Sequence, residues 1–190
     1  MNKENEMETR EHIDNVRKFI NILNYELIAR GIDHDQSKLE FPEKEIFEEY
    51  TPKLKETTYG SIQYQEYLKE MKIATDHHYL VNRHHPEHFS NTFKCEDCGT
   101  IYTGFQNECD VCHHFDSLKR VCDISKMNLI DLIEMICDWK AATLRHNNGD
   151  IYKSIEINRK RFNISDQLTS ILFNTIELFE GEKESFKTYD

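Results

Sequence analysis

The stretch NLIDLIEMICDWKAATLR, residues 128–145, is the strongest helical signal in the sequence and decides the fold class. Its apolar residues recur three or four positions apart, which is the period of one buried helix face. Asp138 lies within this run, next to Trp139 and two positions after Ile136. A buried carboxylate requires a partner. The stretch therefore predicts a core helix that carries one functional acid.

Helical periodicity continues on both sides of this stretch. An N-terminal helix is predicted over residues 9–30, ending at Gly31. Its apolar stripe, which we expect to be buried, consists of Ile13, Val16, Ile20, Leu23 and Leu27. Four further helices are predicted over residues 42–49, 61–82, 151–161 and 166–179, the last with Ser165 as its N-cap. The pattern favours an all-α fold, a helical bundle.

Composition narrows the classes of function. The chain has 190 residues, enough for one domain with a small insertion, and its formal net charge of -11 argues against broad binding to nucleic acid. No apolar run has the length of a membrane span, and the N-terminal residues lack the apolar core of a secretory signal. We therefore expect a cytoplasmic protein that binds no membrane.

Two CxxC units lie in a stretch without helical periodicity. Their ligand candidates are Cys95, Cys98, Cys109 and Cys112. Two such knuckles complete a tetrahedral sulfur shell suited to zinc, and a shell made wholly of cysteine leaves no open position, so the zinc is expected to be structural. The alternative is four reduced core cysteines. We predict a zinc ribbon over residues 93–114, inserted into a discontinuous helical domain of residues 1–92 and 115–190.

Histidines cluster before the ribbon. They are His12, His34, His77, His78, His84, His85 and His88. Together with Asp35 and the distant Asp138 they offer imidazole and carboxylate groups, the ligands of metal sites that keep positions open to water. Each element has a simpler interpretation. An HD dipeptide is common by chance, and exposed histidines at a helix end would explain residues 77–88 nearly as well. One metal would satisfy the buried groups together.

These residues carry a resemblance. His12, the doublet of His34 and Asp35, and Asp138 resemble the H...HD...D signature of the HD-domain metal-dependent phosphohydrolases, an all-helical superfamily, over about residues 9–150. The run HDQSK is similar to the HDxGK of that superfamily, with Lys38 retained. The resemblance implies an HD-like bundle that binds one or two divalent ions (Mn, Co, Zn, Mg or Fe).

The resemblance also bears on the branch of the HD superfamily and on the class of substrate. In two-metal branches further histidines precede the last aspartate, and here His78 and His85 would take that place. The substrate implied is a small phosphorylated molecule, a nucleotide by analogy: a phosphomonoester, triphosphate or cyclic nucleotide. The runs HHPEH and EMICDWKAA also resemble a small, mostly uncharacterised phage and bacterial family, for which the compartment would include the host cytoplasm.

The expected chemistry is attack of metal-bound hydroxide on phosphorus. Lys38 is expected to bind the phosphate and to assist catalysis, with Arg145 and Arg161 as further substrate-binding residues. His84, His85 or His88 would protonate the leaving oxygen.

Two residues on the helix of Asp138 can support such a site. Glu134 and Asp131 lie one and two turns before Asp138, respectively, on roughly the same face. Each could orient a ligand or receive a proton, or form a structural ion pair.

Two other classes of function stay open at this point. The protein could be a non-catalytic module in which the zinc ribbon binds another protein and the helical body is a scaffold. It could instead be a di-iron oxygenase of HD type. Oligomeric state, including a homo-oligomer, is also left open.

Overall fold

A computed structural model describes residues 3–57, 61–104, 106, 108–115, 117–145 and 149–185, with side chains as far as Phe179. The described chain is mostly helical, with seven α-helices and one small sheet, which confirms the predicted helical character. It divides into two compact units, Met1–Asn82 and Arg83–Asp190. No helix in the described ranges is both long and apolar enough to cross a membrane.

The first unit contains four helices. They are α1 (Lys3–Asp33), α2 (Glu43–Glu56), α3 (Ile62–Glu70) and α4 (Lys72–Val81), with a short 3-10 helix at Gln36–Leu39 between α1 and α2. Helix α2 packs against α3, α4 and the 3-10 helix. The single helix predicted over residues 61–82 is divided at Met71, which ends α3 and precedes α4.

Helix α1 differs from its prediction. It runs through Gly31 to Asp33, and none of its residues is buried. The predicted stripe faces solvent, because residues such as Ile13 and Ile20 keep 42% and 51% of their surface exposed. The period correctly predicted a helix with an apolar face but could not say what, if anything, covers that face. The expectation that this stripe is buried is therefore wrong.

The second unit begins with a short 3-10 helix at Pro86–Phe89, which is followed by a three-stranded antiparallel sheet. Its strands are β1 (Thr92–Cys95), β2 (Ile101–Thr103) and β3 (Leu118–Arg120), in the order β2-β1-β3. Phe93 of β1 lies opposite Tyr102 on one side and Arg120 on the other. The sheet thus continues beyond residue 114, the predicted end of the ribbon.

Three helices complete this unit: α5 (Leu129–Thr143), α6 (Ile151–Phe162) and α7 (Asp166–Ser185). Their core contains ten buried apolar residues, among them Trp139, which stacks on Phe162 at 6.3 Å between ring centroids. The Ser165 hydroxyl accepts a hydrogen bond from the backbone N–H of Leu168, which confirms Ser165 as the N-cap of α7.

Candidate metal centres

Four cysteine sulfurs converge in the second unit. Cys95 and Cys112 lie 3.6 Å apart, Cys98 and Cys109 lie 3.4 Å apart, and all four sulfurs are within 4.8 Å of one another. Ligands about 2.3 Å from a tetrahedral zinc ion lie about 3.8 Å apart. The sulfur cluster can therefore hold a metal such as zinc.

The two CxxC knuckles share one backbone conformation. In the first, the N–H of Gly99 donates to the carbonyl of Cys95 at 3.0 Å, and in the second the N–H of His113 donates to the carbonyl of Cys109 at 2.8 Å. Gly99 and His113 both adopt positive φ, 77° and 58°. Only the first knuckle has glycine at this position, where positive φ is unstrained. The repeated turn directs each pair of sulfurs toward one point.

The buried sulfur of Cys109 is also polarised by a neighbour. The Tyr102 hydroxyl lies 3.2 Å from this sulfur, and its hydrogen bond lowers the pKa of the Cys109 thiol to about 6. The same contact raises the pKa of Tyr102 to about 12. Since the thiolate is the metal ligand, this hydrogen bond prepares Cys109 for coordination near neutral pH.

A second convergence, of histidine and carboxylate groups, lies in the first unit. His78 is 3% exposed and uses both ring nitrogens: Nδ1 lies 2.9 Å from Oε2 of Glu43, and Nε2 lies 3.2 Å from Oδ1 of Asp35. Glu43 is fully buried and also accepts from Nδ1 of His77 at 2.7 Å and from the Ser37 hydroxyl at 3.0 Å. These contacts join α4, the start of α2 and the turn after α1.

Glu43 is the residue that sequence reasoning missed. It lies in the acidic run EKEIFEEY, where nothing separates it from its exposed neighbours Glu45 and Glu48. Among the described residues of the first unit only four are buried, and two of them, Glu43 and His78, are polar. A buried carboxylate is costly unless it is paired. The buried part of this unit therefore contains the polar contact between Glu43 and His78 as well as apolar side chains.

Asp35 occupies a distinctive backbone position. It has φ of 57° at the turn before the 3-10 helix, a left-handed conformation that aspartate tolerates better than most residues. Burial raises the pKa of its carboxyl, but hydrogen bonds to His78 and Lys38, together with the charges of Lys38 and His34, lower that pKa well below its ordinary value. Asp35 is therefore a carboxylate near neutral pH.

Lys38 and His34 lie on the other side of this carboxylate. The Lys38 ammonium contacts Oδ2 of Asp35 at 2.6 Å and lies 5.4 Å from the centre of the Phe47 ring. Nε2 of His34 lies 3.6 Å from the same oxygen. The two oxygens of Asp35 thus face different groups, Oδ1 toward His78 and Oδ2 toward Lys38 and His34.

The proton positions around His78 limit what can lie between it and Asp35. When Nε2 carries the proton, it donates to Asp35 as described above, and Nδ1 accepts from the Asn82 amide at 2.9 Å. When Nδ1–H instead donates to Glu43, a neutral ring presents the lone pair of Nε2 to the Asp35 carboxylate. Two electron-rich atoms at 3.2 Å repel each other unless a proton or a metal ion lies between them. A nitrogen and an oxygen that bind one ion at about 2.0–2.2 Å are themselves about 3 Å apart. The geometry of this pair fits shared coordination.

The second unit holds a smaller group on α5 and the loop before the sheet. His84 is 1% exposed, and its Nδ1 lies 3.0 Å from Oε1 of Glu134. A ring nitrogen of His84 lies within 4.8 Å of a carboxylate oxygen of Asp138, and within 4.8 Å of a ring nitrogen of His85. Glu134 thus contacts a histidine, as the predicted role of orienting a ligand requires.

Asp131 takes the structural role. It is fully buried, and its carboxylate accepts two hydrogen bonds from Arg83, at 3.1 and 3.0 Å, and one from the backbone of Asn128. The last contact completes a capping box at the start of α5. Asp131 therefore stabilises the start of α5 and binds Arg83, which directly precedes His84.

Four predicted site residues lie apart from these clusters. His12 is exposed on α1 and belongs to none of the ligand clusters among the described residues. Arg145 lies beyond the end of α5 at Thr143. Arg161 is bound to the buried Glu87 at 2.5 Å. His88 packs edge-on against Phe89.

The comparisons with known proteins identify a family and no activity. A model described as a family of unknown function, DUF5662, matches residues 1–178. Neither the curated proteins nor the solved structures gave a match. Because the family model covers nearly the whole sequence, the chain belongs to the DUF5662 family.

Proposed function

We propose that this protein is a metal-dependent phosphohydrolase of HD type that acts on a small phosphorylated molecule, with nucleotides as the leading class. The observation that carries the proposal is the buried chain of contacts from Glu43 through His78 to Asp35. Histidines that bind catalytic metals donate their second ring N–H to a carboxylate, which fixes the tautomer and the direction of the free lone pair. Glu43 occupies that supporting position.

The ligand chemistry agrees with the proposal. Asp35 and His78 offer one carboxylate oxygen and one imidazole nitrogen at coordination spacing, and His34 lies beside the same carboxylate. Such mixed oxygen and nitrogen sites suit Mn, Co, Zn, Mg or Fe and leave positions open for substrate. The chain therefore has ligands for a metal centre unlike its sulfur cluster.

In the second unit the proposed ligands are His84, His85 and Asp138, with Glu134 supporting His84 as Glu43 supports His78. In the HD signature the last aspartate is a metal ligand, and the proposed role of Asp138 rests on that resemblance. One ion or two can be accommodated by these ligands.

A divalent ion held by these residues would activate a water molecule and offset the charge of a phosphoryl group. The protein's own side chains have complementary tasks. Lys38 keeps 32% of its side chain exposed, so its ammonium can contact a substrate phosphate while it remains near Asp35. That His88 supplies the proton for the leaving oxygen stays a prediction from the sequence, because His88 belongs to none of these ligand sets within the described part of the chain. His84, predicted for the same task, is buried against Glu134 and is better suited to bind metal.

For the sulfur cluster we propose a structural zinc. All four ligands are cysteines, so the shell has no free position for water or substrate. Strands β1 to β3 have only three or four residues each and bury little apolar surface, and a metal would stabilise them.

The experiment is a phosphate-release screen over nucleoside mono-, di- and triphosphates and cyclic nucleotides, with Mn, Co, Zn and Mg, alongside metal analysis. Asp35→Ala and His78→Ala should lose activity and one class of bound ion and retain the zinc of the cysteine cluster. Asp33→Ala, at an exposed carboxylate two residues away, is the matched control and should behave as wild type.

The outcomes separate the alternatives. Retained activity in Asp35→Ala contradicts the proposal, as does a wild-type protein that binds no ion beyond one zinc. In the latter case a hydrogen bond from Nε2–H of His78 to Asp35 explains the geometry. Bound iron with oxygen consumption and no phosphate release would identify an oxygenase instead.

A further inference from the structure

Helix α1 presents an apolar face that the described part of the chain leaves exposed. We call its best-aligned residues the α1 stripe, which consists of Ile13, Val16, Phe19, Ile20 and Leu23. Each keeps between 42% and 62% of its surface exposed. Single exposed apolar residues are ordinary, but a continuous row of them on one helix face marks an interaction surface.

The spacing of the stripe matches a helical partner. Ile13, Val16, Ile20 and Leu23 alternate three and four positions apart, and the half-buried Leu27 continues the series. This is the repeat with which two helices interlock side chains along a shared seam. Helix α1 has 31 residues and is therefore about 46 Å long at 1.5 Å per residue, long enough for an extended seam.

The distribution of charge along α1 favours one kind of partner helix and one orientation of it. Over residues 3–15 acidic side chains outnumber basic ones by five to two, whereas over residues 16–33 basic ones outnumber acidic ones by three to two. A second copy of α1 in antiparallel orientation places each acidic half beside a basic half, and the helix dipoles also oppose. A parallel pair would bring the two acidic halves together.

We propose that the α1 stripe pairs with the α1 stripe of a second copy of this chain in antiparallel orientation, giving a twofold-symmetric dimer. An antiparallel pair of identical helices is self-complementary, as a twofold interface requires. This inference is independent of the proposed phosphohydrolase activity, because it uses no residue of either metal cluster.

Sedimentation equilibrium of the full chain over a dilution series tests the dimer. Wild type should have twice the 22.7 kDa mass of one chain. Ile20→Glu should sediment as a single chain, because a charge in the seam would be buried without a partner. The matched control is Asn21→Glu, the same change of charge one residue along and turned away from the stripe, and it should remain a dimer.

Circular dichroism distinguishes dissociation from unfolding. Ile20 is not buried in the single chain, so Ile20→Glu should keep the helix content of Asn21→Glu. Ile13→Glu provides a second disruption and should give the same single-chain mass. A monomeric wild type overturns the proposal, and so does a dimer that persists in both stripe variants.

Ionic strength tests the orientation. Raising the salt from about 0.1 M to about 1 M shortens the Debye length from about 10 Å to about 3 Å and screens surface charges. The antiparallel dimer should weaken, because its attractions between opposite halves are lost. A dimer that becomes tighter in salt would contradict the antiparallel assignment.

Discussion

The sulfur cluster and the histidine and carboxylate cluster of this protein differ in how their side chains come together. The sulfur cluster spans 17 positions from Cys95 to Cys112, and two short knuckles with the same turn direct its ligands. The histidine and carboxylate cluster of the first unit joins Glu43 to His78 across 35 positions, and it requires α2 and α4 to pack before any contact exists. The first cluster is local and the second depends on the fold of its unit.

The two clusters also differ in the chemistry of their ligands. Four sulfurs make a closed shell suited to holding short strands together. The pair formed by Asp35 and His78 contributes only two ligands, backed by the buried Glu43, and leaves room for other groups. A cluster with local ligands and a closed shell suits a structural role, whereas an open cluster built by packing suits chemistry.

The largest expected effect comes from breaking the sulfur cluster. Cys109→Ser should remove the zinc and unfold strands β1 to β3, since structural zinc contributes about 10–16 kcal/mol in zinc-finger peptides. Elemental analysis should show the loss of one zinc per chain, and hydrogen exchange should lose protection over residues 92–120. Cys137→Ser, at an exposed cysteine outside the cluster, is the control and should change neither. Full zinc retention in Cys109→Ser would exclude a four-cysteine site.

An intermediate effect is expected from Glu43→Gln. Removing the carboxylate behind a histidine ligand typically weakens metal binding about 10- to 100-fold, because the ring loses its fixed orientation. Competition with a chromophoric chelator should show this weakening at the histidine site and no change in the ribbon zinc. Glu45→Gln, at an exposed residue of the same helix, is the matched control. Equal affinities in the two variants would mean that Glu43 does not position His78.

The smallest effect concerns pH. The pKa of Asp35 is lowered in the folded protein, so its ionised form stabilises the fold above its ordinary pKa of 3.8, and this contribution is lost as the pH falls toward the folded value. Asp35→Asn should lower the urea midpoint near neutral pH and should approach wild type as the pH falls below about 3.8.

The control for this test is Asp33→Asn, which should show a difference from wild type that does not vary with pH. Loss of ribbon zinc in acid affects all three proteins alike, so the differences between them report the carboxylates. An Asp35→Asn defect of constant size down to the lowest pH would show that the charge of Asp35 does not stabilise the fold.

The sequence predicted those features whose physical cause is local. The helical period and the cap at Ser165 located most helices, because a cap and a repeat act within a few residues. The CxxC spacing located the sulfur cluster for the same reason. His34, Asp35 and Lys38 also come together in the structure, within one short turn.

Two features depended on distant packing and escaped prediction. Glu43 could not be distinguished from the other acids of its run until α2 and α4 enclosed it with His78. The apolar residues of the N-terminal helix that were expected inside the protein, such as Ile13 and Ile20, lie at its surface. An amphipathic period specifies that a face is apolar and leaves open which surface covers it.

By itself, then, the sequence determined the helical character, the local turns and the sulfur cluster, because propensity, caps and knuckles are set by neighbouring residues. Only the tertiary structure decided that Glu43 supports His78, that Asp131 binds Arg83 and that α1 is exposed. Each of these outcomes depends on which elements pack together, and burial changes the energetic consequence of a charge far more than its position along the chain does.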